Sequence, residues 1–239
     1  MNKPNFGFDA PGVIRWLFIF SLLSLAASFA SRLIPYPLFS KIVLLYFFSS
    51  ALFTFASGVW MLYGTKRGKP KLLKKMADEL SLGGSETILD IGCGRGAFLI
   101  EVAKQLKTGK AHGIDLWIGK DQSGNALENT RRNAEAAGVS DRIELTTADM
   151  RQIPYADNTF DIAVSSLAIH NLKNKEERDL ALKEILRVLK PGGSFALLVI
   201  QHAPQYTQTL KELGARNVKI SAPHYLYCPP VSIVKGNKG

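Results

Sequence analysis

The stretch Thr87-Ile88-Leu89-Asp90-Ile91-Gly92-Cys93-Gly94-Arg95-Gly96-Ala97-Phe98-Leu99 constrains the architecture more than any other part of the chain. Apolar, β-favouring residues run straight into glycines at every second position, and a helix-like pattern follows. The stretch predicts a buried strand, a tight turn, and a helix whose first amides point back at the turn. Gly92, Gly94 and Gly96 lack a Cβ, so the backbone can take positive φ and let a ligand approach closely. Asp90 falls at the strand end, where it can accept hydrogen bonds from a cationic or amino group. In an open α/β sheet that is where the ligand crevice lies.

The spacing is G-x-G-x-G, which departs from the G-x-G-x-x-G of dinucleotide-binding turns. A second strand-like run, residues 111–114, ends in Asp115, the acidic position that grips ribose in nucleotide-binding sheets. A bare glycine turn is the plain alternative, but turn, helix and acid together point to a nucleotide-like ligand. Leu89-Asp90-Ile91-Gly92-Cys93-Gly94-Arg95-Gly96 resembles motif I of the class I S-adenosylmethionine-dependent methyltransferases. Gly113-Ile114-Asp115, Ala148-Asp149-Met150 and Leu186-Arg187-Val188-Leu189-Lys190-Pro191-Gly192-Gly193 agree with that family in order and spacing. The resemblance covers residues 70–239 and is nearest to the small-molecule and quinone or lipid branch. It implies an α/β, Rossmann-like, seven-stranded and mostly parallel sheet whose last strand is antiparallel. It also implies S-adenosyl-L-methionine as methyl donor, and it leaves the acceptor open.

Residue by residue, the resemblance implies that Asp90 and the amides of Gly92, Cys93, Gly94 and Gly96 hold the methionine end. Asp115 takes the ribose hydroxyls, Leu116 and Trp117 cover the adenine face, and Asp149 accepts from the adenine amino group. Met150 packs on the ring, and Ser165, at the end of the fourth strand, completes the donor side. For each acid the plain alternative is a helix cap or a loop residue. The run 117–124 is longer than the usual step from this strand to its helix, and it is expected at the ligand edge as a lid or acceptor wall.

On the acceptor side, His170 follows the fourth strand and suits a base or a substrate-orienting residue, with a structural imidazole as the alternative. Tyr225 and Tyr227, between the last two strands, would line the acceptor pocket and bind or deprotonate a small nucleophile, with ordinary loop packing as the alternative. His202 reads as loop packing, and His112 starts a strand at the opposite edge. There is no Asn/Asp-Pro-Pro-Tyr/Phe motif, which disfavours methylation of nucleobase or glutamine nitrogen. No Cys/His cluster has metal-ligand spacing, so no metal is expected. Cys93 and Cys228 make no disulfide framework, and a reducing compartment is the simplest expectation.

Ahead of this domain the composition changes. Residues 1–11 are expected to be poorly ordered. Residues 13–34 are strongly apolar, and 16–31 hold no charge, spanning roughly 24 Å as a helix. Residues 42–64 are 23 in number without a charge, long enough to cross a bilayer. The expected organisation is a transmembrane hairpin within residues 1–65 (helices at about 13–34 and 42–64), then a methyltransferase domain at 66–239. A cleaved signal and a pair of buried core helices are the alternatives.

Lys66, Arg67, Lys69, Lys71, Lys74 and Lys75 crowd behind the second segment, so the basic bias puts the domain on the cytoplasmic face of the cell membrane. The chain has 30 Lys+Arg against 20 Asp+Glu, a net +10 that suits anionic lipid beside such a span. Nucleic acid is a distant alternative, since no appended module for it is visible. The reading is a membrane-anchored methyltransferase acting on a small, hydrophobic or membrane-associated acceptor. A non-catalytic scaffold that keeps the fold and a nucleotide-dependent oxidoreductase are its rivals.

Overall fold

Pro11 and Pro37 each open a helix in the computed structural model, which describes residues 3–119 and 122–239. Proline suits the first helical turn because its missing N–H would be unpaired there anyway. Helix α1 (Pro11–Ala30) and helix α2 (Pro37–Tyr63) form a hairpin closed by a short turn at Ser31–Leu33. The seam between them is small and polar. Ser21 Oγ donates to the Ala51 carbonyl at 2.9 Å and Ser28 Oγ to the Leu44 carbonyl at 3.2 Å. Gly58 lets the Phe18 ring lie against α2, since a Cβ there would come 2.9 Å from the ring. The large apolar side chains face outward instead: Phe20, Leu23, Phe29, Leu45 and Phe53 are all more than half exposed. A soluble amphipathic helix has the reverse arrangement. Both helices are long and apolar enough, by length and composition, to cross a membrane.

Helix α2 does not end in a linker. It passes through a π turn at Gly64–Gly68 into α3 (Lys69–Glu79), giving one helical run of 43 residues, Pro37–Glu79. The division expected after residue 65 falls inside this run. Gly68 is where the loop before the last strand crosses the helix. A Cβ there would stand 1.7 Å from the Leu226 carbonyl oxygen, so only glycine admits the crossing. Beyond it, Leu72, Leu73 and Met76 fasten α3 to the domain core.

The strands are β1 (Thr87–Ile91), β2 (Lys110–Asp115), β3 (Ile143–Thr147), β4 (Phe160–Ser166), β5 (Leu189–Val199), β6 (Arg216–Ile220) and β7 (Ser232–Asn237). They form one sheet in the order β3-β2-β1-β4-β5-β7-β6, parallel from β3 to β5. β7 inserts antiparallel between β5 and β6, as the resemblance implied. Helices α4 (Ala97–Ala103), α5 (Leu127–Ala136), α6 (Lys175–Val188) and α7 (Ala203–Glu212) fill the connections. Asn174 caps α6 by accepting the Glu177 amide at 2.8 Å. β5 begins earlier than its apolar run (194–200) suggests, because Leu189 already pairs with Phe160 before a bulge.

Phe98, Leu99 and Leu73 anchor the core on one side of the sheet; Ile185, Phe195 and Tyr206 anchor the other. Strand order reverses between β1 and β4, and a crevice opens there at the carboxyl ends.

The N-terminal segment, expected to be poorly ordered, is docked on the domain. The Asn5 amide donates to Asn133 Oδ1 at 2.8 Å, and Asn133 Nδ2 returns a bond to the Asn5 carbonyl at 3.0 Å. The Phe8 amide donates to Ser123 Oγ at 2.8 Å and the Ser123 amide to the Phe8 carbonyl at 3.1 Å. These partners lie more than a hundred residues away, so local sequence carries no sign of them.

Candidate active site

A cavity of about 510 Å³, a size common to small-molecule sites, occupies the crevice between the ends of β1, β2 and β4. Its floor is the turn after β1. Gly92 has φ of 68°, and a Cβ on it would lie 2.2 Å from the Ala168 Cβ, so no larger residue fits. The amides of the turn are engaged within the protein, which corrects the expectation that they hold a ligand. Those of Gly92 and Cys93 donate to the Ile114 carbonyl at 2.8 and 3.0 Å, and that of Gly96 to the Cys93 carbonyl at 2.8 Å. The turn therefore offers close backbone approach more than open N–H groups.

Asp115 ends β2 at the cavity rim. Its Oδ2 accepts from the Gly94 amide at 2.8 Å and its Oδ1 from the Trp117 amide at 2.6 Å, which fixes the carboxylate in place. Asp90 is different. It is only 1% exposed and lines the cavity, and neither of its oxygens has a hydrogen-bond partner among the described residues. Burial pushes its pKa up to about 7; Asp115 adds to the rise, while the nearby Leu99 amide and the Lys69 charge oppose it. A buried carboxylate without a partner is costly, so this one is set for a cationic group.

Leu116, Asp149, Met150, Cys93 and Gly94 also line the cavity. Asp149 is gripped by Arg151, whose Nε lies 3.0 Å from both carboxylate oxygens, and this holds its pKa below the usual carboxylate range. Four expected residues lie elsewhere. Trp117 turns its indole away to donate to Thr147 Oγ1 at 2.9 Å, and Ile118 takes the place on the cavity wall. Ser165 is buried beneath the sheet edge, donating to the Ile91 carbonyl at 2.7 Å, and the next residue, Ser166, is the one that lines the cavity. Gly96 starts α4 and faces Thr130 of α5. Tyr225 is 66% exposed, and its carbonyl accepts from Trp60 Nε1 at 3.1 Å. Strand alternation separates Ser165 from Ser166, a distinction of one residue that fixes which face a side chain takes. Lys120 and Asp121 of the long run after Asp115 lie outside the described residues.

The opposite wall brings together His170, Tyr227 and two residues the sequence did not single out for the site, Asp9 and Lys69. Lys69, grouped by sequence with the lysines facing lipid, is only 8% exposed. Its Nζ donates to Asp9 Oδ1 and Oδ2 at 3.0 and 3.1 Å, and the Tyr227 hydroxyl donates to Asp9 Oδ2 at 3.0 Å. Burial and the Asp9 carboxylate raise the Tyr227 pKa well above that of a free phenol. His170 Nδ1 has no partner among the described residues. Burial first, then His202, lower its pKa to about 4, so the imidazole is neutral in ordinary buffers. Val13 of α1 and Met61 of α2 close the wall from the hairpin side.

A family model described as a methyltransferase domain matches residues 88–193, the stretch that builds the floor and both acidic positions. The chain is 34% identical over 137 residues to sterol 4-C-methyltransferase strm-1 of Caenorhabditis elegans, covering 57% of this chain and 38% of that protein. It is 33% identical over 129 residues to the ubiquinone/menaquinone biosynthesis C-methyltransferase UbiE of Roseobacter denitrificans, covering 54% and 48%. A SAM-dependent methyltransferase from Aquifex aeolicus superposes with a TM-score of 0.53 at 18% identity, over 71% of this chain and 98% of that one. Residues 88–193 thus match a methyltransferase domain, and the sheet has the Rossmann-like fold of the class I S-adenosylmethionine-dependent methyltransferases. The chain spans less than half the length of the two curated relatives named here.

The donor side of this cavity fits S-adenosylmethionine in kind. Asp90 is an unpartnered carboxylate for the ammonium of the methionine end, and Asp115 presents a fixed carboxylate for paired ribose hydroxyls. Leu116, Ile118 and Met150 supply apolar surface for a purine, with Asp149 beside them as an acceptor.

Proposed function

We propose that the chain is a membrane-anchored methyltransferase that moves the methyl group of S-adenosylmethionine to a small apolar acceptor drawn from the bilayer. One observation carries this reading: the cavity that contains Asp90 and Asp115 is also walled by Val13 and Met61 of the two apolar helices. Helices with small residues in their seam and Phe and Leu outside suit a lipid surrounding, where packing rather than hydrophobic burial holds helices together. A soluble protein rarely leaves so large an apolar surface in water. The rigid passage from α2 to α3 then holds the cavity mouth at the membrane face. Lys66, Arg67 and Lys71 sit at that level, which suits anionic headgroups and a cytoplasmic domain.

The bound donor supplies an electrophilic methyl group on a sulfonium. The residues of this chain orient both partners and keep water out, and most of the acceleration of a displacement of this kind comes from such positioning. Asp90 and Asp115 fix the donor ends. His170, neutral and lining the same cavity, is placed to accept a hydrogen bond from the acceptor. The names of the two curated relatives, a sterol and a quinone methyltransferase, agree with an apolar acceptor here.

The test is transfer in vesicles. The purified chain is reconstituted into liposomes made from a total membrane extract and supplied with donor carrying a labelled methyl group. Label is expected in the organic phase after extraction, and Asp115→Ala is expected to abolish it. Saturable donor binding without any label in lipid extracts or in soluble extracts would favour the scaffold reading.

A further inference from the structure

The wall facing Asp90 holds a buried ammonium whose bonding capacity is only partly used. Asp9 accepts four hydrogen bonds: two from Lys69 Nζ, one from Tyr227 Oη at 3.0 Å and one from Gln122 Nε2 at 3.4 Å. A carboxylate has about four lone-pair sites, so Asp9 is saturated. Lys69 has three N–H groups, and among the described residues its Nζ bonds only to Asp9. Lys69 follows the π turn at Gly64–Gly68 and lines the cavity, and its charge is felt at both His170 and Asp90. A buried cation with a spare donor, beside a neutral imidazole and a saturated carboxylate, favours negative charge on its ligand.

We propose that Lys69 is the specificity-determining residue of the acceptor site, binding an acidic hydroxyl, phenolic or enolic, as its anion at the polar end of an apolar molecule. Asp9 and Tyr227 are positioning residues that hold the ammonium in place. This rests on the reading above that the cavity takes an apolar acceptor. The hydroxyl proton leaves to solvent as the anion forms. The anion's electron pair, on oxygen or on the conjugated carbon, makes the bond to the methyl carbon, and the C–S pair leaves with sulfur. Anion and sulfonium thus become two neutral products. An amine acceptor would instead gain positive charge beside Lys69, which Coulomb repulsion disfavours.

The experiment reads a pKa rather than turnover. A 4-nitrophenol bearing an alkyl chain is yellow only as its phenolate, so its titration can be followed on the full-length protein in detergent with the methyl donor's demethylated product bound. The wild type is expected to lower the probe's pKa by about one unit or more relative to detergent alone. Lys69→Met is expected to abolish the shift, and Lys69→Arg to keep it. Asp9→Asn is expected to enlarge the shift, because the ammonium is no longer shared with a carboxylate. Loss with one variant and gain with the other is a pattern that general loosening of the wall does not produce. An unshifted probe on the wild type, or the same shift on Lys69→Met, overturns the proposal. If Lys69→Met no longer binds the demethylated product, Asp9→Asn decides alone, and a reduced or unchanged shift there counts against Lys69. Vesicle transfer separates this from the broader reading: label in lipid, with a nonylamine probe methylated in preference to nonylphenol, overturns only the role of Lys69.

Discussion

The two walls of the cavity are built in different ways. The floor comes from one short stretch of chain, the turn after β1, joined by the end of the adjacent β2 through direct backbone bonds to Ile114 and Asp115. The opposite wall is gathered from four distant places: Asp9 before α1, Met61 and Lys69 on one long helix, His170 after β4, and Tyr227 before β7. On the floor, positions are fixed by the sheet ladder, and a charged group stands without a partner. On the opposite wall, Asp9, Lys69 and Tyr227 fix one another through side-chain bonds, while Lys69 keeps a spare N–H and His170 Nδ1 has no partner among the described residues. The floor is therefore suited to a constant ligand, while the assembled wall can change with the acceptor at little cost to the fold.

The sharpest way to break that comparison is at the floor. Asp115→Ala removes a charged acceptor and leaves the Gly94 and Trp117 amides unpaired. Affinity for S-adenosylmethionine is expected to fall about a hundredfold or more, on the order of 3 kcal/mol, as read by calorimetry. The Lys69-dependent shift of the bound phenol is expected to survive. Affinity within about threefold of wild type would remove Asp115 from the donor site.

A smaller effect is expected from the assembled wall. In Gly68→Ala the new methyl group meets the Leu226 carbonyl, so the loop carrying Tyr227 must move off the helix. Overpacking of this kind costs about 1–3 kcal/mol. Transfer is expected to drop about tenfold while donor affinity stays within about twofold, since the floor does not touch this crossing. Equal losses in donor binding and transfer would show that the two walls are one unit.

This asymmetry also explains what the sequence revealed. Asp90, Gly92 and Asp115 were legible because strand, turn and acid lie within one βαβ unit, where spacing alone fixes geometry. The first two strands were legible for the same reason, as the apolar run into the glycine turn and the run that ends in Asp115. Ser165 was misplaced by one residue because Ile162-Ala163-Val164 is apolar throughout and two serines follow in a row, so the strand carries no alternation from which to read its two faces. Lys69 and Asp9 were missed for a different reason. A lysine in a basic run and an aspartate in a short polar segment look solvated, and only tertiary contact across 60 residues shows them as a buried pair. The helix register of Gly64 and Gly68, four apart, was the one available hint of a close crossing on that face.

The subtlest test returns to Asp90, where binding and stability pull in opposite directions. Its carboxyl has a pKa of about 7 in the fold against 3.8 in an open chain. Below the lower value both states hold the proton, so the group adds no pH dependence. Between the two values the unfolded chain has lost the proton and the folded one still binds it, so stability falls as pH rises. Above the upper value the loss levels off at about 4 kcal/mol. Asp90→Asn removes this slope but buries an unpartnered amide at a cost of about 1–3 kcal/mol. The net expectation for the donor-free protein is a gain on the order of 2 kcal/mol near pH 8, seen as a higher melting temperature in detergent. Near pH 5 the gain should nearly vanish, because most of the wild-type penalty has not yet developed. Other titrating groups are common to both proteins and cancel in the difference. Adding donor should reverse the ranking, since only the carboxylate can pair with its ammonium. A variant less stable than wild type near pH 8, or one with the same pH slope, would mean that Asp90 already has a partner in the folded protein and is not held in reserve for the methyl donor.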